Sequence, residues 1–389
     1  MTVTSSSRTT SASALPRVER RRTPLFGEGK TSVAVVGYGY WGSKHVRVLS
    51  GIPDVAVTIV DADPARLVEA SKVFPAARLV LNMDDVSATV DAAIIATPPA
   101  SHAGLALDAI AKGHHVLVEK PLAVSVEDCE AMIAAADAAG VSLMVGHTFE
   151  HNAAVWKLRE LIDSGELGDL CYIDTARLNL GLYQTDVNVI WDLAAHDVSI
   201  INFLLGRLPD AVSAWGHGHA RLNVEDVGYV QLRYTHLDVM AYIHVSWLDP
   251  CKVRRVTVVG TKKMAVYNDM SVSERIRIYD VGVDHGPHED SMHAMPLSYR
   301  YGDIVSPYLS ASEPLTVQDS HFIECVRTGA APRVDGHSGL ATVRVLEATD
   351  RALRTRTEAM LGGAIRATQN DVKPHLIPAQ GRRRFGTPS

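Results

Sequence analysis

From Thr31 to Thr148 the chain alternates short, nearly unbroken apolar runs with stretches in which apolar residues recur at helical spacing. The runs predict strands at 32–37, 55–61, 77–81, 91–97, 114–119 and 142–147. The periodic stretches predict helices over Gly42–Leu49, Pro64–Val73, His102–Ala111 and Val126–Ala139. Runs such as Ala92-Ala-Ile-Ile-Ala96 and His115-Val-Leu-Val118 lack alternation, as expected where both faces of a parallel sheet are covered. Alternation of this kind implies right-handed βαβ units and a doubly wound parallel sheet of the Rossmann type.

Near His151 the pattern changes. A helix over Asn152–Ser164 precedes a strand, Cys171–Leu180, and a second helix from Trp191 to Leu205. Strand-like runs then follow closely: Ala211–Trp215, Gly228–Tyr234, Val239–Trp247, Arg254–Val258, Met264–Tyr267 and Arg275–Tyr279. Such succession predicts an α+β domain on a large open, mostly antiparallel sheet, closed by helices at Val317–Arg327 and Ser338–Thr355. The expected organisation is a disordered arm (1–30), a dinucleotide-binding domain (31–150), a substrate-binding and oligomerisation domain (151–362) and a flexible tail (363–389).

Composition supports this frame. A length of 389 residues, with 47% apolar and 21% charged, suits a soluble protein of two or more domains. The net charge of −6 conceals basic ends. Six basic against two acidic residues in 1–30, and four basic with no acidic ones from Val372, leave the body near −14, which argues against nucleic-acid binding. The four cysteines form no C-x-x-C pair, so no thiol redox motif or zinc knuckle is expected. No apolar run approaches a membrane span, and the Ser/Thr/Arg-rich start lacks a secretory core. A cytoplasmic location without membrane or nucleic-acid partners is the expectation.

The candidate chemistry begins at Gly37-Tyr-Gly39-Tyr40-Trp41-Gly42, between a predicted strand and a predicted helix. The first glycine permits the turn, the second lets backbone approach a pyrophosphate, and the third lets helix and strand pack closely. The helix N-terminus then offers unpaired N–H groups to the phosphates. Asp61 ends the second strand about 20 positions on, where a carboxylate accepts hydrogen bonds from the adenine ribose and repels a 2′-phosphate. With Ala62 and Asp63 next in line, this favours NAD over NADP. Thr97-Pro98-Pro99 forms a stiff loop at the end of the fourth strand, and Lys120 ends the fifth, where a lysine faces the ligand crevice. Asp192 and His196 are four apart on a predicted helix, with Ser199 a turn further and Ile190, Ala194, Val198, Ile201 and Leu205 on the packed side.

Three segments in this order, Gly37-x-Gly-x-x-Gly42, Ala96-Thr-Pro-Pro-Ala-Ser-His102 and Glu119-Lys-Pro121, resemble the glucose–fructose oxidoreductase / inositol dehydrogenase / rhizopine catabolism family over roughly residues 31–360. The resemblance implies a catalytic, substrate-binding Lys120, a cis Lys120–Pro121 bond, and Asp192 and His196 opposite the nicotinamide. It further implies cofactor contacts from Thr97, Pro98, His102, Glu119 and Lys120 beside the glycine loop and Asp61. Asn188-Val-Ile-Trp191 replaces a glycine-rich lead-in, and the segment from Asn179 to Asn188 looks more like relatives from sugar-biosynthesis clusters. Asn152, Tyr183 and Asn188 are then candidates to bind sugar hydroxyls.

The expected activity is hydride transfer between NAD and a ring hydroxyl or ketone of a nucleotide- or phosphate-linked sugar. The same residues would serve an inositol or free-sugar dehydrogenase, or a redox-neutral enzyme holding NAD tightly. A non-catalytic NAD sensor or scaffold would leave Lys120, Asp192 and His196 idle. His285, His288 and His293 lie with Gly286 and Pro287 in a loop-like stretch without metal-site spacing, so no metal is expected. A homodimer or homotetramer through the second sheet completes the expectation.

Overall fold

The computed structural model describes residues 29–86, 90–184, 187–221, 224–284 and 298–355. The tail, the first 28 residues of the arm and the stretch holding His285, His288 and His293 lie outside them.

Six strands build the first sheet: β1 (Thr31–Val36), β2 (Val55–Val60), β3 (Arg78–Val80), β4 (Ala92–Ile95), β5 (His115–Glu119) and β6 (Leu143–Gly146). Their order is β3-β2-β1-β4-β5-β6 and every neighbouring pair is parallel. Helices α1 (Tyr40–Leu49), α2 (Pro64–Val73), α3 (His102–Ala111) and α4 (Val126–Ala139) cover its faces. Val33, Val35, Ile94 and Leu117 are therefore fully buried, which explains the unbroken apolar runs. Strand order reverses between β1 and β4, and ligands of such sheets bind beyond the carboxyl ends at this switch. Asp63 caps α2 by accepting from the Ala65 amide, with Pro64 in the first turn.

The second sheet has eight strands: β7 (Leu170–Leu180), β8 (Ala211–His217), β9 (Val227–Tyr234), β10 (Val239–Ser246), β11 (Leu248–Gly260), β12 (Met264–Asn268), β13 (Ile276–Asp284) and β14 (Ser298–Val305). Their order is β14-β13-β12-β11-β7-β10-β9-β8, antiparallel except for the central β7–β10 pair. Helices α5 (Ala153–Asp163), α6 (Ala195–Leu205), α7 (Pro314–Thr328) and α8 (Gly336–Arg354) complete the described chain. The sequence pattern did not reveal β14. It is an edge strand exposed along almost its whole length, so burial imposed no alternation.

Two details differ from expectation. The segment leading into α6 opens into a π turn at Ile190–Ala194, a feature that frequently marks functional sites. The helix is also packed on more sides than the predicted stripe: Trp191, Ala195, Ile200 and Leu204 are buried, and so is Ser199. Late in the chain, α7 folds back on the first sheet. Its Phe322, Ile323 and Val326 share a core with Val33, Val35, Val46 and Leu49.

Candidate active site

The carboxyl ends of β1, β2 and β4 open on a cleft of about 720 Å³, lined by Gly37, Gly39, Tyr40, Trp41, Asp61, Thr97 and Pro98 among others. Gly37 has φ +92°, and a Cβ there would lie 2.7 Å from the Ala96 carbonyl oxygen. At Gly42 a Cβ would lie 1.7 Å from the Gly37 carbonyl oxygen, so no side chain fits. Gly39 meets nothing within 4 Å. Its missing side chain therefore serves the open cleft, as close approach of a pyrophosphate requires. The first turn of α1 carries no acidic residue, leaving the positive end of its dipole unopposed. These residues fit a dinucleotide. Asp61 is held by the Tyr38 and Asp63 amides at 2.7 and 2.9 Å, and Arg66 reaches back to within 3.5 Å of it.

Beyond β5, the Lys120–Pro121 bond is cis. Lys120 Nζ donates to the Asp192 carbonyl at 2.9 Å and to Asp192 Oδ1 at 3.0 Å. Trp247 Nε1 donates to the other carboxylate oxygen at 3.1 Å. Asp192 is thus clamped between the first sheet's lysine and the second sheet's tryptophan. His196 follows on the same helix, its ring edge-on to Phe149 at 5.1 Å, with Nδ1 buried and unpartnered. Burial, then the charges of Lys120 and Arg177, hold its pKa well below the usual 6.5, so the ring is neutral. His196 lines a second cavity of about 380 Å³ that also includes Glu119, Arg177, Arg254 and Arg275. The two cavities share Tyr40 and Trp41 as common walls.

Behind the glycine loop lies a charged network that sequence reasoning missed. His45 of α1 is fully buried; its Nε2 donates to Glu119 Oε1 and its Nδ1 to Asp319 Oδ2, both at 2.9 Å. Burial alone would lower its pKa, but the charge and hydrogen bond of Asp319, joined by Glu119, raise it to about 10. Asp319 comes from α7, 274 positions away, and nothing local announces it. A polar residue beside Val46 and Leu49 on the packed side of α1 was the available signal.

Several predicted contacts are committed elsewhere. Glu119 lines the second cavity, but Oε1 is taken by His45. His102 is buried between the Pro121 and Thr97 carbonyls, fixing the loop rather than facing the cleft. Asn152 lines the second cavity, yet its amide caps α5 and donates to Tyr267 Oη. Asn188 lines neither cavity; it accepts from the Ile190 and Trp191 amides and donates to Glu225. Asn and Asp side chains compete for free amides at helix starts, which accounts for both asparagines. Tyr183 donates to Asp226, and its ring lies tilted against Trp247 at 5.3 Å between centroids, one residue removed from Asp192.

Ser199 donates to buried Glu150 instead of facing the site. Burial raises the Glu150 carboxyl to about 7 despite that bond. A carboxyl raised in the fold binds its proton more tightly there than unfolded, so this contribution is full below pH 4.5 and fades as pH rises through 7. Glu150→Gln should therefore gain about 2–3 kcal/mol on wild type between pH 5 and pH 8. Urea unfolding of both proteins at the two pH values measures it; a constant difference refutes the assignment. Among the described residues no group of three or more His, Cys, Asp or Glu is arranged to hold a metal ion.

The model for the oxidoreductase family with an NAD-binding Rossmann fold, GFO_IDH_MocA, matches residues 31–147, and that for the GFO/IDH/MocA C-terminal domain matches residues 155–266. The chain belongs to the GFO/IDH/MocA family. Inositol 2-dehydrogenase of Klebsiella pneumoniae is 30% identical over 237 residues, covering 55% of this chain and 68% of that protein. An uncharacterized oxidoreductase of Streptococcus pneumoniae is 30% identical over 196 residues, and the chain spans only about half of that relative's length (52%). Among solved structures, GenD2 from gentamicin A biosynthesis in complex with NAD superposes with TM-score 0.70 at 25% identity, over 87% of this chain and 97% of that one. As a GFO/IDH/MocA member the chain carries the family's oxidoreductase fold. No helix among its described residues is long and apolar enough to cross a membrane.

Proposed function

We propose that this protein transfers hydride between a nicotinamide dinucleotide, NAD in preference to NADP, and a ring secondary alcohol or ketone of a nucleotide- or phosphate-linked sugar. The observation that carries the reading is the Lys120–Asp192 contact at 3.0 Å, which joins the end of β5 to the π turn before α6 beside a neutral His196. The bound nicotinamide would accept or supply the hydride at its ring carbon. His196 takes the hydroxyl proton, for which a neutral imidazole is required. An ammonium has three N–H groups, and Lys120 commits two of them to Asp192; the third stabilises the alkoxide as charge develops on oxygen. Asp192, fixed by Trp247, positions that ammonium. A relative named inositol 2-dehydrogenase supports the alcohol, and the NAD-bound solved neighbour supports the cofactor. Self-association through the outer face of the second sheet, where Tyr172, Trp215, Tyr229 and Tyr242 are exposed, belongs to the same proposal.

Formation of NADH from a panel of nucleotide sugars, sugar phosphates, free sugars and inositols tests the reading. Turnover is expected with NAD on the first two groups; turnover on inositols alone would replace the substrate, and NAD binding without turnover would replace the function. Asp61→Ser removes the charge that repels a 2′-phosphate while Arg66 stays in place. It should lower the NAD-over-NADP preference by at least about tenfold, equivalent to about 1.4 kcal/mol. An unchanged ratio of kcat/KM values removes Asp61 from cofactor choice.

A further inference from the structure

The cavity beyond His196 concentrates positive charge. Arg177 on β7 and Arg254 on β11 sit directly opposite each other in the antiparallel register, an arrangement of like charges that destabilises a sheet. Lys252 lies two positions from Arg254 on the same strand, Arg275 reaches the wall from the turn before β13, and Lys44 comes from α1. The three carboxylates on the same walls are already engaged: Glu119 by His45, Asp269 by Arg254 and the Tyr267 hydroxyl, Glu313 by Arg47. Arg177 is paired with buried Asp197. Among the described residues, Lys44, Lys252 and Arg275 have no carboxylate partner. The N-terminus of the 15-residue α7 opens on the same space, adding unpaired backbone donors. A cavity lined by cations without carboxylate partners raises the local concentration of anions.

We infer that Lys252, Arg254 and Arg275 form a subsite for the phosphate of the substrate, whether a monoester or a nucleoside diphosphate, on the opposite side of the sugar from His196. This rests on the dehydrogenase reading and specifies how that site tells phosphorylated sugars from neutral ones. The cavity of about 380 Å³ falls within the range of small-molecule sites. Arg254 is steadied by Asp269 at 3.3 Å, so it presents a fixed guanidinium, while Lys252 and Arg275 supply the uncompensated charge.

The test compares full-length wild type with Lys252→Ala/Arg275→Ala on a sugar phosphate, the matching nucleotide sugar and the unphosphorylated sugar. The wild type should favour the phosphorylated forms in kcat/KM by at least about tenfold. In the double variant that preference should fall at least about tenfold, through KM rather than kcat, and the wild-type preference should weaken with added salt. Equal losses on charged and neutral sugars overturn the subsite. A larger effect on the nucleotide sugar than on the monoester identifies the diphosphate as the natural group. Calorimetric titration with inorganic pyrophosphate keeps this separate from the dehydrogenase reading. If no sugar reduces NAD but pyrophosphate binds wild type and not the variant, the subsite stands and the dehydrogenase reading falls; equal binding, or none by either protein, overturns the subsite.

Discussion

Lys120→Ala and His196→Asn should each lower turnover by about 10²–10⁴-fold while leaving NAD binding intact. The two losses have different causes. Lys120→Ala removes the ammonium that stabilises the alkoxide and also strips Asp192 of its partner, leaving a carboxylate held by Trp247 alone. His196→Asn removes the proton acceptor while preserving a polar group of similar reach. Initial rates of NADH formation, alongside titration of NAD binding by fluorescence, separate chemistry from cofactor affinity. The pH profile adds a check. Because burial and nearby cations hold His196 well below 6.5, its protonation should not inhibit the wild type near pH 6. Near-normal turnover in either variant would remove that residue from the reaction.

His45→Leu should destabilise the protein by about 3–5 kcal/mol, because removing one partner of a buried ionic network strands the others. Asp319 has no exposed surface and Glu119 is 5% exposed, so neither carboxylate regains water when the imidazolium is lost. Adding Asp319→Leu should recover much of the loss by removing one stranded charge. Chemical unfolding at neutral pH measures both changes; a loss below about 1 kcal/mol would show that the network is not held by charge. The pH dependence has a definite sign. With its pKa raised to about 10, protonated His45 contributes fully below pH 6.5, and the contribution is lost as pH climbs through 10.

What could be read from the sequence followed its physical range. The first sheet was legible because strands buried on both faces become unbroken apolar runs, and the glycine loop because its conformational demands admit no side chain at Gly37 and Gly42. Motif and spacing point to Lys120, Asp192 and His196, and the structure sets Lys120 against Asp192 across 72 positions. Local hydrogen bonding was harder to foresee. The sequence marks Asn152 and Asn188 as candidates for sugar hydroxyls, but each lies where a helix begins and its amide satisfies the backbone there. The cationic wall was invisible, since Arg177 on β7, Lys252 on β11 and Arg275 in the turn before β13 meet only through strand pairing. Asp319 was hidden for the same reason, since its partner His45 lies 274 residues upstream.

That return of α7 sets the order in which the protein can be made. Residues 31–150 hold every strand of the nucleotide-binding sheet, yet the core that α1 and α2 form on one face stays incomplete until Phe322, Ile323 and Val326 arrive. On the ribosome, at about 5–20 residues per second, the gap between the end of β6 and the end of α7 lasts roughly 10–40 s. During that interval the core around Val33, Val35 and Leu49 lacks its α7 side chains and His45 lacks Asp319. The nucleotide-binding half is synthesised first but finished almost last, and a nascent chain stalled before residue 328 is a natural client for chaperones.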